Sequence, residues 1–257
     1  MIKKLIKREF ISTWKTMLAL YAAMLIAAGA GRLLNVFGGN SEATLMQTVV
    51  NLVSILNDII LALGAFLTLY VVAQRVYSSM LGDEGKTTMS LPVTVRAHLT
   101  ARFAVAMVWS AGTIGFSIFA YWIYHAALPP VVIVFVNYDF GFFYYFMAAL
   151  LALLIAAVCV SGVFLSAALG HLFYKQRLLA SLLCGVGVFA VLGGLSYLAL
   201  EYRLLEKPFG FLGESTVSAL SDYGAFGAVF FTVLCVVCFE CANRIISKRL
   251  NLLRAEE

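Results

Sequence analysis

The chain has 257 residues, of which 63% are hydrophobic and only 12% charged, where soluble domains carry roughly 25% charged and 45–50% apolar residues. A soluble fold of this length could not cover so much apolar side chain, so lipid is the solvent this composition requires. The net charge of +5 comes from basic residues at the ends of apolar runs, which excludes a separate nucleic-acid-binding domain.

Residues 1–15 open the chain with a basic stretch. Ile2, Ile6, Phe10, Trp14 and Leu18 recur at four-residue spacing, while Lys3, Lys4, Lys7, Arg8, Ser12 and Lys15 take other faces. The pattern predicts an amphipathic helix lying in the membrane interface, with Lys4, Arg8, Phe10 and Trp14 as its contacts, before the chain turns into the bilayer. The plainer alternative is a charged flank of the first span. The apolar run that follows lacks a small-x-small cleavage site, so no cleavable signal peptide is expected.

Six spans follow at about 16–36, 54–74, 103–124, 142–169, 178–200 and 223–246, each approaching or exceeding the roughly 20 residues that cross a bilayer. The fold class is therefore an all-α membrane protein: one transmembrane domain of six helices behind an N-terminal interfacial helix. An even number of spans puts both termini on one side. With the N-terminus inside, 15 of the 18 lysines and arginines fall on the inner segments and only Arg32, Arg203 and Lys207 outside. The positive-inside rule thus makes both termini cytoplasmic. Tyr121, Trp122 and Tyr124, with Phe140, Phe142, Phe143, Tyr144, Tyr145 and Phe146, read as an outer aromatic belt. Residues 201–222 mix apolar residues with Pro208, Gly210 and Gly213. They form either short re-entrant helices beside a cavity or a loop on the outer surface.

The inner segment 75–102 is long for a membrane hairpin and is punctuated by Gly82, Gly85 and Pro92, with a short helix expected around 94–99. Its GDEGKTT is not a phosphate-binding loop. The position five before Gly85 is Met80, and Asp83 and Glu84 would oppose phosphate. Arg32, Asp58 and Glu240 lie near span ends, where a charge needs a partner or water. Arg32 either pairs with Asp58 or snorkels to headgroups, and Glu240 is expected to pair with Arg244 one turn on.

Cys235, Cys238 and Cys241 spread across a third of the last span and read as packing residues, so no metal site is expected. Ser161 and His171 sit roughly 15 Å apart along one helix, too far for a catalytic pair, and no enzyme constellation remains. Ala148, Ala152 and Ala156 on the fourth span, with Gly185, Gly187, Gly193 and Gly194 on the fifth, are candidate close-packing surfaces within the chain or against a second copy.

Taken together, LIKREFISTWKTM, six spans and the inner stretch GDEGKTTMSLPVTVRAHLTARF resemble a type-2 ABC transporter permease of the Gram-positive bacterial type, with Gly82, Asp83, Glu84, Gly85, Leu91, Pro92 and Val93 matching its acidic-glycine patch and Leu-Pro-Val. The resemblance implies a multi-pass subunit of the bacterial cell membrane that exports a peptide, drug or lipid-like substrate. It implies two partners, a separate ATPase and a second or homologous permease. Gly82, Asp83, Glu84, Gly85, Lys86, Leu91, Pro92, Val93 and Arg96 would dock on that ATPase, and the N-terminal helix would flank it. No cofactor would be bound by this chain, ATP and Mg being held by the ATPase. A stand-alone secondary transporter or channel, or an accessory membrane subunit, is the alternative; the first of these should show ionisable residues near mid-membrane.

Overall fold

Lipid offers no hydrogen bonds, so a chain this apolar must satisfy its backbone within each segment, and the helix is the element that does so. The computed structural model describes residues 2–38, 44–78, 94–125, 142–170, 172–173, 177–201 and 216–255. These form six helices: α1 (Ile2–Gly38), α2 (Thr44–Val76), α3 (Val95–His125), α4 (Phe142–Gly170), α5 (Arg177–Glu201) and α6 (Thr216–Ala255). Each contains a stretch long and apolar enough to cross a membrane, and no strand occurs among the described residues.

Several boundaries differ from the sequence expectation: α2 starts at Thr44 and not near 54, and α6 runs to Ala255 and not to 246. No turn separates an interfacial helix from the first span, because α1 runs unbroken from Ile2. Neither glycine nor proline occurs in residues 1–28, so nothing there stops a helix. The helix expected around 94–99 is the first turn of α3 itself, which starts just past Pro92. Residues 216–222 belong to α6 and not to the outer loop; residues 202–215 lie outside the described residues.

α1, α2 and α3 form one group. α1 and α3 run parallel, with contacting residues 92 or 93 positions apart: Glu9 with Arg102, Tyr21 with Thr113, Arg32 with Tyr124. α2 runs antiparallel alongside both, placing Arg75 at Glu9 and Gly64 under Met24. A Cβ on Gly64 would lie 2.6 Å from the Met24 sulfur, so the glycine sets this close approach. α4 packs on α2, α3, α5 and α6. Its buried residues Val160, Phe164 and Ala168 join Val72, Leu99 and Ile246 in a core at the end of the bundle where α2 and α6 finish and α3 begins.

α5 is peripheral, packing mainly on α4. Gly185 meets Ser166, whereas Gly187, Gly193 and Gly194 meet nothing within 4 Å. The close-packing surface expected of those three is therefore not formed among the described residues. On α4 the fully packed alanines are Ala157, Ala167 and Ala168 instead. Cys238 is buried beside Val158 and Leu192, and Cys241 is exposed.

Candidate functional site

Six residues separate Arg96 from Arg102, a rotation of about 240° on a helix, so the two arginines leave α3 toward different neighbours. Each meets an acid. Arg102 Nε lies 3.2 Å from Glu9 Oε1 on α1, and Arg96 Nη2 lies 2.6 Å from Glu240 Oε1 on α6. Glu9 also takes Arg75 of α2, whose Nε is 3.2 Å from Oε2. One carboxylate thus bridges two guanidinium groups on two other helices. The first turns of α3 are held on both flanks.

The setting of the two acids differs. The Arg102 side chain is 4% exposed and Glu9 13%, while Arg96 is 66% exposed. A buried guanidinium persists only when its charge is matched, and Glu9 supplies that match. A cavity of about 30 Å³ inside the clasp is lined by Glu9, Thr13, Arg75, Arg102 and Trp109 among others, enough for a water molecule by size.

A polar seam continues from the clasp into the bundle. The Thr13 hydroxyl donates to the Glu9 carbonyl (3.0 Å) and accepts from Trp109 Nε1 (2.9 Å). Tyr21 donates to the Trp109 carbonyl (2.8 Å), and the hydroxyls of Tyr21, Thr113 and Thr68 bond in a chain at 3.2 and 2.8 Å. Glu9, Thr13, Met17, Tyr21, Met24 and Ala28 lie on one side of α1 because each is three or four residues from the next. The apolar stripe read from the sequence turns outward: Phe10, Trp14 and Leu18 are exposed, as are Lys4 and Arg8.

The intramembrane charges find partners other than those expected. Arg32 and Asp58 do not pair: Arg32 Nη1 donates to the Tyr124 carbonyl (3.4 Å), and Asp58 faces His125 at 3.8 Å. The frayed carbonyls at the end of α3 offer Arg32 an acceptor in its own register. Glu240 takes Arg96, not Arg244, because α3 delivers a guanidinium at 2.6 Å while Arg244 is exposed. Of the predicted coupling residues, Arg96 is placed. Gly82, Asp83, Glu84, Gly85, Lys86, Leu91, Pro92 and Val93 lie outside the described residues, as does His171. The described residues hold no group of three or more His, Cys, Asp or Glu that could bind a metal ion.

Sequence reasoning missed Glu9, Thr13 and Trp109, and used Arg75 and Arg102 only to orient the chain. One signal was present: Glu9 is the sole acid in the first 41 residues. Six apolar helices carrying an internal polar seam define a multi-pass helical membrane protein. Comparison with known families, curated proteins and solved structures found no match.

Proposed function

We propose that the chain is the membrane-spanning permease subunit of an ATP-driven ABC transporter in a bacterial cell membrane, exporting a peptide, drug or lipid-like substrate. The ATPase is a separate chain that carries ATP and Mg, and a second permease copy or a homologue completes the pathway. Both termini and the segment 79–93 face the cytoplasm in this reading, as the distribution of lysine and arginine requires.

One observation carries the reading. The segment that would receive an ATPase leaves α2 just past Arg75 and enters α3 just before Arg96 and Arg102, and all three arginines are engaged by acids on α1 and α6. A push on that segment would move α1, α2, α3 and α6 together, where an unclasped loop would only flex. Coupling needs an element whose equilibrium both sites bias, and the clasp supplies the mechanical continuity.

A photo-crosslinking residue at Thr87 in the native host tests it. The expected product is a covalent adduct with a nucleotide-hydrolysing protein, lost when residues 82–92 are deleted. Labelling of a cysteine at Thr87 by an impermeant reagent outside intact cells would overturn it.

A further inference from the structure

A groove of about 470 Å³ runs along the outer side of the α1–α3 pair, within the roughly 300–1,000 Å³ of ordinary ligand sites. Phe10, Trp14, Leu18 and Leu25 form one wall, Trp109 and Phe116 the other. Its walls are held by ring stacking, Phe10 on Trp109 at 4.7 Å and Tyr21 on Phe116 at 4.5 Å. The polar atoms nearest it are engaged elsewhere, Trp109 Nε1 by Thr13 and the Tyr21 hydroxyl by the Trp109 carbonyl. The groove therefore asks for an apolar occupant.

Length and charge say which. From Phe10 to Leu25 the helix rises about 22 Å at 1.5 Å per residue. One leaflet with its interfacial band measures about 20–22 Å, half of the 40–45 Å bilayer. At 100° per residue Lys7 falls on the azimuth of Trp14 and Leu25, one turn beyond the mouth, and Lys3 falls on that of Phe10 and Tyr21 one turn further. Both lysines are exposed. The acid of this segment, Glu9, points to the far side of α1 and is spent on Arg75 and Arg102. An occupant with a long apolar chain in the groove would thus hold its polar head against positive charge, with no opposing carboxylate among the described residues.

We infer that this groove seats an acyl chain of an anionic membrane phospholipid, with its phosphate-bearing headgroup at Lys3 and Lys7. The site goes beyond the transport reading and stands without it, since it requires no ATPase and no substrate pathway. A bound lipid there would brace the exposed side of α1, opposite the Glu9 clasp.

The test uses the full chain with Trp122→Phe, which leaves Trp14 and Trp109, both lining the groove, as the remaining tryptophans. Detergent-solubilised protein is titrated with phosphatidylglycerol or phosphatidylcholine carrying brominated acyl chains, and fluorescence quenching is read. Phosphatidylglycerol should quench at a concentration at least fivefold lower, an attraction of about that factor being expected for each lysine near an anionic headgroup. Lys3→Glu with Lys7→Glu should erase the preference without altering the near-ultraviolet circular dichroism, and Ala22→Phe, filling the groove, should weaken quenching by both lipids. Equal quenching by the two lipids in the parent overturns the inference, because the groove is then ordinary lipid-facing surface. So does a preference that survives the double charge reversal, or quenching suppressed by raising protein concentration, which would mean that a second copy covers the groove.

Discussion

Replacing Glu9 by Gln keeps the side chain's size and removes the charge that two arginines share. Guanidinium and carboxylate charges about 4 Å apart attract by roughly 4 kcal/mol at an effective dielectric of 20 before desolvation is subtracted. Arg75 is 31% exposed and regains water when released, so its share falls toward the 0–1 kcal/mol of a surface pair. Arg102 is 4% exposed and has no such recourse. Removing one partner of a buried ion pair costs about 3–5 kcal/mol, and that sets the upper range of the expected loss for Glu9→Gln. At about 2–4 °C per kcal/mol for a chain of this size, Tm should fall by roughly 6–20 °C. Heating the detergent-solubilised protein with a thiol-reactive dye measures this, because Cys238 is buried until the bundle opens; replacing the partly exposed Cys159, Cys184 and Cys235 and the exposed Cys241 by Ser leaves Cys238 as the reporting thiol. A double-mutant cycle identifies the cause. Glu9→Gln in an Arg102→Met background should cost far less than in the parent, since the buried half of the ion pair is then already gone. Strictly additive losses, or a Tm shift for Glu9→Gln below about 2 °C, would refute the clasp.

The other acid at this end should behave differently. Glu240→Gln breaks a pair whose arginine is 66% exposed, so the same assay should show a loss under about 1 kcal/mol. Gly170→Ala should destabilise by about 1–3 kcal/mol, because the new methyl meets the Ser181 backbone and forces α4 and α5 apart. Gly187→Ala, facing open space on α5, should instead be neutral or stabilising by up to about 1 kcal/mol through helix propensity, and equal losses for the two would contradict the packing described. Asn57 is 3% exposed, and neither amide atom finds a partner among the described residues. Asn57→Leu should raise stability by about 1–3 kcal/mol, and a drop in Tm would mean that the amide is engaged after all.

The number and class of the helices were legible because hydropathy acts over whole segments and tolerates local error. Individual partners were not, because pairing depends on register between helices distant in sequence. Arg32 illustrates this: its depth suggested Asp58, yet the parallel register of α1 and α3 carries it to the Tyr124 carbonyl. Glu240 repeats the lesson, since a local i,i+4 rule yields to an arginine brought from 144 residues away. The strict four-residue stripe from Ile2 to Leu18 misled for a third reason. In water an apolar stripe marks the packed face of a helix, but in lipid the exposed face is apolar too, and close packing goes to small and polar residues. Thr13, Tyr21, Thr68 and Thr113 mark the true interface, and each is uninformative when read alone.

Glu9 shows how a single residue could have corrected that reading. Within a basic segment an isolated acid has two physical outcomes: it lies in solvent and lowers the local charge for no gain, or it turns inward to match a cation from elsewhere. At about 100° per residue Glu9 lies within about 80° of Thr13 and Met17 and about 160° from Lys7, which favours the second. The cations it meets, Arg75 and Arg102, lie on either side of residues 79–93 in the sequence. Arginines that a topology count treats as markers of sidedness therefore also tie α2 and α3 to α1, so neutralising either one should loosen α1.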